Sequence, residues 1–194
     1  MTGRRQFLGA LAIAAGATAT GCGSSGSDSK SNSQLTDDDI GFLIDMSFHH
    51  GQALVLCQRV LGRDTGGPVQ AAAAEILQNQ AYELGVMHAW LQSVGASTAP
   101  PEEVMGWMGM PLPADEMPGL ASQEEMDELA TLDGRARGRL FLELMRAHHV
   151  GALHMLESIA DTSTERVASL ASRMATAQTF EIGVFDELLA TSYA

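Results

Sequence analysis

At 194 residues, 45 % of them apolar, the chain is long enough to bury one sizeable core. Aromatics make up only 5 %, while Ala, Leu, Met, Glu and Gln abound, and this mixture predicts an all-α fold. Eleven Lys and Arg face 24 Asp and Glu, for a net charge of −13; positives this few and scattered build no basic patch, which excludes a nucleic-acid partner and leaves a field that attracts cations.

The first segment, residues 1–21, reads as a signal peptide: Arg4 and Arg5, an apolar run from Phe7 to Ala19, then small residues. Arg4-Arg5-Gln6-Phe7-Leu8 resembles a twin-arginine export signal, and Ala19-Thr20-Gly21-Cys22 resembles a lipobox, so Cys22 is expected to carry lipid and to anchor the protein on the extracytoplasmic face of the cell membrane. Removing the signal leaves 9 basic against 24 acidic residues. Residues 22–34 are rich in Gly and Ser and predict a flexible tether to a domain spanning 35–194. Cys57 is then the remaining thiol; it falls opposite Leu156 of the duplication described below and reads as a small core hydrophobe.

A first predicted helix starts behind Thr36, with Asp39 completing a capping box, and runs to about Leu61 before the breakers "GRDTGGP". A second starts at Pro68 and ends near Gly95. Residues 96–122, including "PPEEVMGWMGMPLPADEMPG", form a long Met- and Pro-rich connection. A third helix covers about 135–160, and Thr162 with Glu165 is expected to cap a fourth that runs nearly to residue 192.

The halves are copies. "FLIDMSFHHGQALVLCQ" from Phe42 matches "FLELMRAHHVGALHMLE" from Phe141 at seven of seventeen positions, and "QAYELGVMHAWL" from Gln80 matches "QTFEIGVFDELL" from Gln178. Two duplicated hairpins, 36–95 and 123–192, bury their apolar stripes most simply as a four-helix bundle. Those stripes hold polar groups at core spacing: His49 and His148 on the first and third helices, Gln80, Glu83, Gln178 and Glu181 on the second and fourth. Unpaired, each would cost about 1–3 kcal/mol in an apolar interior. A pseudo-two-fold site is therefore expected, with His49, His50, Gln80 and Glu83 facing His148, His149, Gln178 and Glu181.

The repeated "M-x-x-H-H-x-x-A-L", each copy followed by a "Q-x-x-E" helix, with "PGLASQEEMDEL" ahead of the second, resembles domain-of-unknown-function family 305 over about residues 37–192. That resemblance implies a secreted or membrane-anchored protein with a ferritin-like four-helix fold and a connection with copper handling. It singles out Met46, His49, His50, Met145, His148, His149 and Met155, although Leu56 stands where the second copy has Met155.

Copper is the expected metal, because thioether with imidazole is the ligand set that soft Cu(I) prefers. Glu83 and Glu181 would orient ring nitrogens, and Met105, Met108 and Met110, with Met117, could add thioethers as a lid over one end. Against this extracytoplasmic copper-binding or sequestering module stands a structural reading, a buried His/Glu/Gln network that holds the hairpins in register. A metal-oxidising enzyme is the weakest alternative, since the paired E-x-x-H motifs of di-iron bundles are missing, so no catalytic residue is assigned. His88 and His154 have no histidine at the matching position and read as surface or boundary residues.

Overall fold

The computed structural model describes residues 34–194; the expected export signal and Cys22 lie outside the described residues. Four long helices dominate: α1 (Asp37–Val60), α2 (Gly67–Ser93), α4 (Gly134–Ile159) and α5 (Glu165–Ala190), with a short α3 (Gln123–Thr131) ahead of the second hairpin. The chain is an all-α helical bundle. Helices α1 and α4 pack against each other at the centre, α2 lies on α1, α5 lies on α4, and the backbones of α2 and α5 keep apart. Among the described residues no helix is long and apolar enough to cross a membrane.

Helix α1 begins where Thr36 and Asp39 form the expected capping box: Asp39 N donates to Thr36 Oγ1 at 3.1 Å, and Thr36 N donates to Asp39 Oδ2 at 2.9 Å. The second carboxylate oxygen of Asp39, fully buried, accepts the backbone N–H of Thr164 at 3.1 Å. This corrects the expected start of the last helix. Its N-cap is Thr164, without a side-chain cap of its own, and the Thr162–Glu165 box does not form because α1 supplies a carboxylate to that end of α5. Helix α3 was not expected either; Ser122 and Glu125 cap it reciprocally, and the buried Arg137 donates to the carbonyls of Ala130 and Leu132 at its other end.

The connection is shaped by α1. Strands β1 (Glu103–Val104) and β2 (Leu112–Pro113) form a two-residue antiparallel ladder. Between them Asp45 Oδ2, buried on α1, accepts Met105 N at 2.7 Å and Trp107 Nε1 at 2.9 Å. These bonds hold Met105 at φ 61°, a left-handed conformation that a side chain otherwise resists. Trp107 fits only because Gly41 lacks a side chain: a Cβ there would stand 2.7 Å from Trp107 Cβ. The chain then crosses α1 and α4. Gln52 clamps it by accepting Ala121 N at 2.6 Å and donating to Ala121 O at 2.8 Å, and Pro118 lies so close to α4 that a Cβ on Gly151 would meet its carbonyl oxygen at 2.1 Å.

The apolar interior falls into two clusters. One holds six buried methionines, Met46, Met87, Met105, Met117, Met155 and Met174. The other holds Cys57, Phe141, Met145 and Phe185 with Met126.

Candidate metal centre

Helical spacing puts His49 and His148 on the facing sides of α1 and α4, and their rings stack with centroids 3.7 Å apart at 36°. All four paired histidines have no solvent exposure. The next position on each helix turns outward by about 100°, which carries His50 toward α2 and His149 toward α5. There His50 Nε2 bonds Glu83 Oε2 at 2.9 Å and His149 Nε2 bonds Glu181 Oε2 at 2.6 Å. His148 Nε2 bonds the His49 carbonyl oxygen at 2.9 Å.

These contacts fix tautomers. A carbonyl or carboxylate oxygen only accepts, so in His50, His148 and His149 the hydrogen sits on Nε2, and in the neutral ring Nδ1 keeps a free lone pair. The Nδ1 atoms of all three are buried and without a hydrogen-bond partner, as are both ring nitrogens of His49. Burial, the largest effect, and the neighbouring imidazoles hold His49 far below the usual histidine range, with the nearby Pro118 carbonyl acting weakly the other way. Burial, the largest effect, together with the crowding of the other imidazoles pushes His148 down to about 3. Both inner rings are therefore neutral at physiological pH, the form in which imidazole coordinates a metal.

Gln80 and Gln178 are buried as expected, each 3 % exposed, and neither amide has a partner. The glutamates lie against the histidine pairs but are less buried than the glutamines. Their side chains are 15 % and 16 % exposed and span from solvent to the buried imidazoles, because a carboxylate on the bundle flank keeps one oxygen wet. They line, with the two glutamines, Asn79, Met174 and Ala177, a crevice between α2 and α5 that has room for one water-sized occupant (about 10 Å³). Burial pushes the Cys57 thiol up to about 12, so it is protonated and inert in the core. His88 is half-buried, lining an apolar surface groove of about 410 Å³, and His154 is exposed.

The methionines sort differently from the expectation of alternative core and lid sets. Met46, Met105 and Met155 share one buried cluster, so Met105 belongs to the core; Met108 is half-buried against that cluster, and Met110 is 44 % exposed. Met145 lies in the other cluster, with Phe141 one turn earlier on α4 and Phe185 of α5. Among the described residues no three His, Cys, Asp or Glu side chains stand together as a ready-made metal cluster. Residues missed from the sequence are Asp45, Gln52 and Gly151, which set the connection against the histidine-bearing helices. A signal existed for Asp45, an acid inside the apolar run "FLIDMSF".

Residues 39–189 match the family described as a domain of unknown function, DUF305. The chain belongs to the DUF305 family. A DUF305 protein from Streptomyces coelicolor has a crystal structure with 36 % identity, covering 79 % of this chain and 92 % of that one, at a TM-score of 0.73. A DUF305 fragment from Deinococcus radiodurans is 30 % identical over 80 % of this chain and 97 % of its own, at 0.69. CopM in its Cu(I)-bound form is 24 % identical over 83 % of this chain and all of its own, at 0.61, a likeness of fold. Comparison with curated proteins yields no match.

Proposed function

We propose that this DUF305 protein binds Cu(I) outside the cytoplasm, tethered to the membrane through lipid on Cys22. The observation that carries the metal reading is the set of unpartnered, buried imidazole nitrogens, three of them lone pairs on rings whose other nitrogen is already fixed by a carboxylate or a carbonyl. Metal-binding histidines are held in this way. The six-methionine cluster adjoining α1 and α4 supports a soft metal, with Met46 one turn from His49 and Met155 two turns from His148. CopM, of similar fold, has been crystallised with Cu(I), with Cu(II) and with silver, which supports the same reading. Among the described residues no three acidic or imidazole side chains stand in one cluster, and thioethers are the further donors this reading assigns.

The network reading draws on the same hydrogen bonds, and one experiment separates the two. The double variant His148→Ala/His149→Ala should lose at least 10-fold in Cu(I) affinity, measured by competition with a chromophoric chelator, while its helical circular dichroism persists. Unchanged affinity, or a parent that retains no copper, leaves the structural network as the explanation. The anchor is tested apart from this: Cys22→Ala should release the protein from membranes, and a variant still wholly membrane-bound sinks the lipid assignment.

A further inference from the structure

The buried imidazoles are closed off on three sides. Helices α1 and α4 stack His49 on His148, α2 and α5 are packed along their own partners, and the segment Pro118–Ala121 is strapped across α1 and α4 by Gln52 and the bare Gly151. The apolar 410 Å³ groove beside α1 is lined by none of the four paired histidines. The α2–α5 seam differs: the two backbones keep apart, and the crevice between them is walled by Glu83, Glu181, Gln80 and Gln178.

Two features point to a ligand in that seam. Both glutamine amides are 97 % buried yet unpartnered, and an amide left so in a closed interior is costly. Each glutamate touches solvent at one end and a fully buried imidazole at the other, and a carboxylate has a second oxygen beyond the one its histidine holds. Four oxygen-bearing groups around a space the size of one water suit a single cation whose waters they replace. The repeat places one amide and one carboxylate on each wall.

We infer that the α2–α5 seam is a cation-binding port, in which Glu83, Glu181, Gln80 and Gln178 take a metal ion from solvent, replace its waters and pass it to the buried imidazoles. The inference rests on the copper reading above and adds the route and the residues of first contact. It assigns the glutamates a role in the rate of loading, whereas orienting the rings acts on affinity.

Ag(I) serves as the probe, its uptake by the full chain followed in stopped flow against a chromophoric indicator. Asn79→Leu with Ala177→Leu narrows the seam from its exposed rim without touching an imidazole. Association and dissociation rates should both fall at least 10-fold, with the dissociation constant unchanged within about 3-fold. If the pair does not fold, Ala177→Val alone should slow both rates about 3-fold. Glu83→Gln with Glu181→Gln should slow association and flatten its dependence on ionic strength. A parent that binds Ag(I) with rates indifferent to the rim substitutions overturns the port and leaves the copper site standing; a parent that takes up neither Ag(I) nor Cu(I) overturns both.

Discussion

The two hairpins agree at their centre and disagree at their ends. Each sets a fully buried histidine on a flank glutamate, His50 on Glu83 and His149 on Glu181, and each buries an unpartnered glutamine one turn away. Away from that level the copies diverge. At one end of the seam Arg166 lies 5.2 Å over the ring of Trp90, filling the space between α2 and α5. At the other end the equivalent residues are Pro68 and Leu188, and an apolar groove of about 250 Å³ is left open beside Phe180. On α4, Gly151 admits the crossing segment, while the matching place on α1 is Gln52, which grips it. The histidine–glutamate pairs and the apolar positions around them are shared by both copies, whereas the packing at the two ends of the seam differs.

Acidification should have the largest effect, because it acts on what both halves share. His148, and His49 with it, stay neutral when folded, whereas in the unfolded chain each takes up a proton near 6.5. Stability from this source is complete above about pH 6.5 and declines as the pH falls toward the folded value of about 3 for His148, by about 1.4 kcal/mol per pH unit for each ring. Urea titrations between pH 7 and pH 5, where most carboxylates barely titrate, should show the midpoint falling in one cooperative transition. A midpoint that stays level would mean that the rings are charged or solvated after all.

The next effect separates the halves. Gly151→Ala drives a Cβ to 2.1 Å from the Pro118 carbonyl and should cost about 3 kcal/mol by forcing the strap off α4, whereas Gly51→Ala, with nothing within 4 Å, should gain about 0.5–1 kcal/mol. Equal melting temperatures for the two variants would show that the strap yields freely. The smallest effect comes from restoring the symmetry: Pro68→Arg with Leu188→Trp rebuilds the filled end of the seam and should stabilise by about 1 kcal/mol, a rise of about 2–4 °C in thermal melts. A lower melting temperature would mean that the groove has its own shape and is no vacant copy of the other end.

Much of this was readable along the chain because helical periodicity and internal duplication are local signals. The four long helices, the Thr36–Asp39 cap and the inward His49 and His148 follow from spacing alone. Helix α3 was readable too, from Ser122 and Glu125, but nine residues carry too little periodicity beside a Pro- and Gly-rich run. What stayed hidden is non-local. Thr162 and Thr164 offer similar caps, and only Asp39, 125 residues earlier, decides between them. The grouping of Met105 with Met46 and Met155 depends on a left-handed residue held by Asp45, and no spacing rule reaches across such a turn.

That one carboxylate of Asp39 also has a mechanical meaning. It sits at the start of α1, where any pull transmitted from residues upstream of Leu35 enters the bundle, and its two oxygens hold the first turn of α1 and the first turn of α5. A load arriving there is divided between both hairpins at once and must shear two helix ends together, where a simple cap would let α1 peel away turn by turn. The same stitch makes fraying a shared event: the opening that exposes the amides near Ile40 to solvent exchange also releases that of Thr164, so the most distant helix starts in the chain should lose protection in step.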